Sequence, residues 1–125
     1  MAIELGLSGT ATMMVTEADT ALVHGTGDVA VLSTPRLLQL MQEATMDALD
    51  GHLPAGMITA GLRINLDHLQ GSPVGATVDA SASLIRIEGR RLVFDAEARS
   101  AGTVVGTGRI IRVQVSREAF LSRMH

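Results

Sequence analysis

Cysteine, tryptophan and tyrosine are all absent from this chain of 125 residues, and only two phenylalanines, Phe94 and Phe120, represent the aromatics. Without cysteine there is no disulfide, no thiolate metal site and no thiol nucleophile, a composition that leans toward the cytoplasm. Without aromatics there is no platform for stacking bases. A basic surface is missing too: the formal net charge is -3, which gives no electrostatic footprint for nucleic acid. The first residues show neither a basic n-region nor a long apolar h-region, and no run approaches the length of a membrane span. The expectation is a cytoplasmic protein that engages neither nucleic acid nor membrane.

What is present is ample for a core. Hydrophobic residues make up 46% and charged residues 18% of the chain, in a length that fits one domain, residues 1–125. One stretch, 31–50, carries the only long helical pattern. Thr34 reads as an N-cap, Pro35 sits at the first turn, where its missing N–H costs nothing, and Leu37, Met41, Ala44, Thr45 and Ala48 recur at helical spacing. Gly51 ends the pattern and Pro54 prevents its resumption.

Elsewhere the chain alternates with period two. Residues 1–7 read as a lead-in, 10–16 as a strand, and 17–28 as a loop with room for a short strand near 21–23. Four longer strand patterns follow the helix, at 57–69, 74–87, 91–100 and 103–115, and Ser116 caps a short helix over 117–123. In the first of these, Ile58, Ala60, Leu62, Ile64, Leu66 and His68 share one face. In the last, Val105, Ile111, Val113 and Val115 do. Glu88-Gly89-Arg90 and Ala101-Gly102 are tight turns, so the last three strands form an antiparallel meander. One long helix on a long, curved antiparallel sheet is an α+β arrangement of the hot-dog type. An open sheet edge predicts pairing into a homodimer or tetramer.

Few residues carry chemistry. Thr34 is either a plain cap or a hydroxyl placed at a helix start, where free amides can bind anionic oxygen. His68 ends an apolar strand face; it is either a core histidine or an acid–base group titrating near neutrality. His24 and His52 fall in loops and His125 at the end, so these are assigned to solvent, and no histidine spacing suggests a metal site. Gly61 interrupts a strand, as a bulge or as a place where a ligand approaches the backbone. Its parity is opposite to that of His68, so the two share a face only if the strand bulges between them. Met13, Met14, Met41 and Met46 read as core or as pocket lining. Arg90, Arg91 and Arg109 read as surface charges. No Gly-rich phosphate loop and no cofactor motif is present.

The helix start and the strand after it resemble hot-dog thioesterases, in particular the fluoroacetyl-CoA thioesterase-like family. That family carries a threonine at the helix start, a glutamate eight residues on, and a glycine and a histidine seven apart on the next strand. The matching residues are Thr34 in Ser33-Thr34-Pro35, Gly61 in Thr59-Ala60-Gly61 and His68 in Asp67-His68-Leu69. The Glu88-Gly89-Arg90 turn and Gly106-Thr107-Gly108-Arg109 also look like that family, and the similarity spans roughly residues 10–120. The glutamate slot departs from the pattern, because Gln42 stands there. On a wheel of about 100° per residue with Met41 at the centre of the apolar arc, Gln42 falls at its edge and Glu43 opposite the core.

The resemblance implies hydrolysis of an acyl thioester of coenzyme A or of a carrier protein, without a cofactor, at a site formed between two copies of the chain. It implies Thr34, Gln42 and His68 as the catalytic set and Gly61, Glu43 and Met41 as substrate contacts, although the wheel puts Glu43 in solvent. Glutamine donates and accepts hydrogen bonds but is neither a general base nor a nucleophile. A hot-dog protein that binds an acyl thioester or another apolar ligand without turning it over is therefore the alternative.

Overall fold

The computed structural model describes residues 2–124. Its elements are β1 (Ser8–Met14), α1 (Ala21–His24), α2 (Thr34–Leu49), β2 (Met57–His68), β3 (Thr77–Glu88), β4 (Arg91–Ser100), β5 (Thr103–Ser116) and α3 (Arg117–Ser122). The five strands form one antiparallel sheet in the order β1-β3-β4-β5-β2. β3, β4 and β5 are consecutive hairpins, because Gly89 and Ala101-Gly102 adopt positive φ and turn the chain in two residues. β1 and β2 are the two edges, and this is the curved sheet with one long helix that the alternation predicts.

The helix packs chiefly across β1, β3 and β4 and touches β5 and β2 only lightly. Leu37, Leu40, Met41, Ala44, Ala48 and Leu49 are buried against Met13, Val78, Ala80, Ala82, Leu84, Leu92, Phe94, Ala98 and Ile110. Small residues set the distance between the layers. A Cβ on Gly9 would stand 2.3 Å from the Ala48 nitrogen and 2.4 Å from the Ala44 carbonyl oxygen, so β1 lies directly on the helix backbone. The Thr10 amide also donates to the Asp47 carboxylate at 2.9 Å. Because the helix sits toward β1, its other flank faces the edge strand β2 through few contacts.

Several expectations change. The sheet starts earlier than the alternation suggests, at Ser8, and β3 begins at Thr77 after a turn through Gly75. Residues 17–28 hold no strand but a 3-10 turn, Glu17–Asp19, and the helical turn α1, whose N-cap Thr20 accepts from the Val23 amide. Met14 is 62% exposed and does not line the core. The largest corrections concern strand faces. β2 bulges at Leu62, between the pairs Gly61↔Arg112 and Arg63↔Ile111. The extra residue inverts the parity. Thr59 and Gly61 therefore share the helix-facing side with Ile64, Leu66 and His68, while Ile58 and Ala60 face away. On β5 the helix-facing residues are Gly106, Gly108, Ile110 and Arg112: Cβ atoms on the two glycines would meet Leu37 and Met41 of the helix. Ile111, Val113 and Val115 lie on the opposite face.

Candidate active site

The helix start is held by its neighbours rather than by Thr34. Ser33, not Thr34, is the N-cap; its hydroxyl accepts from the Arg36 amide at 3.1 Å. Ser33 is fully buried and also bonds His24 Nδ1 at 2.6 Å, so His24 is exposed, as expected, but held by this bond. The Ser33 amide donates to the Asp19 carbonyl at 2.9 Å, and Arg36 pairs with the Asp19 carboxylate at 3.4 Å. The Thr16 backbone amide, its hydroxyl and Arg36 together hold the Asp19 carboxyl below the usual carboxylate range. His52 reaches the Ala2 carbonyl at 3.2 Å. His125 lies outside the described residues.

With the cap duty taken by Ser33, the Thr34 hydroxyl is free. It shares a hydrogen bond of 2.7 Å with His68 Nδ1, from the end of β2. Either the hydroxyl donates to a bare Nδ1, or a protonated Nδ1 donates to the hydroxyl. His68 sits opposite Gly106 in the sheet, and Leu69 continues the pairing by donating to the Val105 carbonyl at 2.8 Å. The ring is half-buried. Its other nitrogen, Nε2, is buried without a hydrogen-bond partner among the described residues. Burial lowers the imidazole pKa, partly opposed by the backbone at Gln70, so the ring stays neutral to a lower pH than a free histidine.

A second cluster lies further along α2 and β2. The position of a Cβ on Gly61 would be 3.2 Å from Gln42 Oε1 and 3.9 Å from Arg112 Nη1. The bulge next to Gly61, at Leu62, is what turns Gly61 toward the helix. Arg112 is buried, at 7% exposure. Its Nε donates to the Thr59 hydroxyl at 2.9 Å and its Nη2 to the Thr59 carbonyl at 3.2 Å.

The structure thus brings Thr34 to His68, and Gln42 to Gly61, but keeps the two groups apart. Eight helical residues separate Thr34 from Gln42, a rise of about 12 Å. Seven strand residues separate Gly61 from His68, about 20 Å. Met41 lies in the core under Gly108, and Glu43 is exposed, accepting from Gln39 Nε2 at 3.0 Å on the outer side of the helix. Neither is brought to Thr34, His68, Gln42 or Gly61. Arg112 was not singled out by the sequence pattern. Its parity with Ile110 is the one signal, and it is faint, because Gly106 and Gly108 have no side chains to mark which face of β5 is buried.

The family model of the fluoroacetyl-CoA-specific thioesterases matches residues 15–118, a span that contains both clusters. The chain belongs to that family. A fluoroacetyl-CoA thioesterase from Streptantibioticus cattleyicolor is 30% identical over 94 residues, which covers 75% of this chain and 68% of the relative. Among solved structures, a point variant of the fluoroacetyl-CoA-specific thioesterase superposes with a TM-score of 0.88 at 25% identity, covering 98% of this chain and 96% of the other. A hot-dog-like protein from Thermanaerovibrio acidaminovorans gives 0.89 at 26%, covering 97% and 90%. A thioesterase superfamily member from Thermus thermophilus gives 0.88 at 25%, covering 98% and 93%. This is the hot-dog fold of the thioesterase family. Among the described residues no group of three or more His, Asp or Glu side chains is placed to hold a metal ion, and no helix is long and apolar enough to cross a membrane.

Proposed function

We propose that this protein hydrolyses acyl thioesters of coenzyme A, in the cytoplasm, at a site completed by two copies of the chain. The observation that carries the reading is the Thr34–His68 pair, with Oγ1 and Nδ1 2.7 Å apart and Nε2 buried and unpartnered. Thr34 orients the ring through Nδ1. Nε2 then takes a proton from water as the oxygen attacks the thioester carbonyl, and the thiolate leaves as the tetrahedral carbon collapses, recovering a proton. A depressed imidazole pKa keeps the basic form available near neutrality. Gly61 leaves room for the thioester against the backbone, and the Gln42 amide orients water or carbonyl by hydrogen bonds alone.

The separation of the two clusters supports a dimeric site. A thioester carbonyl at His68 is out of reach of Gln42 and Gly61 in the same chain. β2 is a sheet edge with unpaired backbone groups, and Leu62 beside it is 49% exposed. Antiparallel pairing of two β2 strands about a two-fold axis near Ile64 and Asn65 sets His68 of one protomer opposite Gly61 of the other. Each dimer then holds two sites, each with Thr34 and His68 from one chain and Gln42, Gly61 and Arg112 from its partner.

The replacement of a carboxylate by Gln42 favours a second reading, a dimer that binds acyl thioesters without turnover. Thiol release from a panel of acyl-CoAs, run beside calorimetric binding of the same compounds, separates the two. Release that tracks enzyme concentration supports hydrolysis, and tight binding with no release across the panel replaces it by the binding role.

A further inference from the structure

The sheet face turned away from α2 is divided in two along the strands. At one end the register sets Arg86, Val93, Ile111 and Arg63 in a row from β3 through β4 and β5 to β2. The next row is Glu88, Arg91, Val113 and Ala60, and Val115 and Ile58 form a last, two-strand row. Val93 is buried, and the other five apolar residues of these rows are part-exposed. Leu62 and Ile85, the extra residues at the bulges of β2 and β3, flank this floor and are 49% and 38% exposed.

The charges on this face follow the same division. The apolar floor ends in an arginine on each side, Arg86 on β3 and Arg63 on β2, with Arg91 between them. Among the described residues no carboxylate lies within 4 Å of Arg63 or Arg91, whereas Arg36, Arg86, Arg99 and Arg109 each have one. The pair of Arg86 with Glu88 is half exposed and worth little, so it does not commit Arg86. The following rows are Ser83, Asp95, Arg109 and Asn65, then Ser81, Glu97, Thr107 and Asp67; they hold three carboxylates against one arginine. An anionic bilayer laid on the whole face would meet those carboxylates, and two copies stacked floor to floor would bring two sets of Arg63, Arg86 and Arg91 together. Both arrangements place like charges in contact. A short segment avoids this. Four strands span about 14 Å, the length of about ten helical residues.

We propose that this floor docks an acidic amphipathic helix of another protein, laid across β3, β4, β5 and β2. Its apolar stripe covers Ile111, Val113 and Ala60. Carboxylates toward its two ends pair with Arg86 and Arg63, and one at its middle with Arg91. The assignment is independent of the hydrolase reading, because the floor lies on the far side of the sheet from Thr34, Gln42 and His68.

The probe is a fluorescently labelled helical peptide of about 14 residues, with a leucine stripe and glutamates beside it at both ends and the middle. A second peptide carries lysine in place of each glutamate. Anisotropy titrations with the full chain are expected to give a Kd of about 10 μM for the acidic peptide at about 50 mM NaCl, weakened about tenfold at 300 mM, and no saturation with the lysine peptide. Arg63→Glu and Arg91→Glu, both at exposed positions, should each weaken the acidic peptide by about tenfold or more. Arg99→Glu makes the same change of net charge on the same face outside the floor and should leave its Kd within twofold. No saturable binding below about 1 mM overturns the proposal, as does equal binding of the lysine peptide or an equal effect of Arg99→Glu. Co-sedimentation of the protein with phosphatidylcholine vesicles containing about 30 mol% phosphatidylglycerol, lost in Arg91→Glu, would make the floor a lipid surface instead. A higher oligomer in light scattering that Arg63→Glu dissolves would give the floor to a second copy of the chain. Either result overturns the helix assignment.

Discussion

Removing the Thr34 hydroxyl should cost rate and leave stability nearly intact, because Ser33 does the capping. Thr34→Val preserves the shape of the side chain and deletes only the bond to His68 Nδ1. That bond is exposed, so its net worth to folding is about 0.5 kcal/mol, the low end for hydrogen bonds. Loss of a cap costs about 1 kcal/mol, and Ser33→Ala also strips a buried partner from His24, for a total near 2 kcal/mol. For 125 residues the unfolding entropy makes 1 kcal/mol worth roughly 4 °C in Tm. Thr34→Val should therefore lower Tm by about 2 °C and Ser33→Ala by about 8 °C. In activity the order reverses. An imidazole that loses its orienting partner should slow hydrolysis by about 100-fold, whereas Ser33→Ala assayed below its melting range should stay within a few-fold of wild type. Thr34→Ser, which keeps the hydroxyl, should retain most of the rate. Melting curves and acyl-CoA hydrolysis on the three variants decide the matter. If Thr34→Val melts as low as Ser33→Ala and its activity only follows the folded fraction, Thr34 is structural and the account of the site is wrong.

Three further outcomes follow from the same geometry. Burial depresses the His68 pKa, so the native state binds its proton less readily than the unfolded chain; the stability tied to His68 is present above about pH 6.5 and is lost as pH falls through the folded-state value, and kcat/KM should keep its plateau to below pH 6.5 before dropping, both readable from pH-dependent melting and rate profiles. Gly9→Ala forces a methyl group into the helix backbone at Ala44 and Ala48, so denaturant unfolding should show a loss of about 3 kcal/mol or more, and a loss below 0.5 kcal/mol would contradict the close packing of β1 on α2. Gln42→Glu should raise hydrolysis of neutral acyl-CoAs, with a gain that stays level between pH 6 and 9 because Arg112 keeps the new carboxyl ionised; a variant slower than wild type on those substrates would make the amide itself the working group.

Much of the fold was legible because hairpin turns and period-two alternation are local signals. β4 was read at 91–100 and the helix at 35–50 because each is bounded by its own stop residues and buries one continuous face. Strand faces were misread where a single inserted residue changes parity. The bulge at Leu62 leaves no mark in the alternation, since Ile58, Ala60, Leu62 and Ile64 are all apolar. The need for it was visible only as a conflict, Gly61 and His68 having opposite parity while the family resemblance put both in one site. Thr34 reads as the cap because Ser and Thr are both capping residues and stand side by side before Pro35; the hydrogen bond that Ser33 accepts from the Arg36 amide separates them. Arg112 stayed hidden because a charged residue in a strand reads as solvated until its neighbours are known.

The central claim is that the two halves of the site come from different chains, and subunit complementation tests it most directly. His68→Ala removes the acid–base group, and Gly61→Val fills the space beside Gln42 and Arg112. Each homodimer should be inactive. In a heterodimer, one composite site carries both lesions and the other carries neither. Random reassociation makes half of the dimers heterodimers, each with one intact site of two, so mixing the two inactive proteins should restore about one quarter of the wild-type rate. If each site lies within one chain, every site in the mixture bears a lesion, and no activity will return.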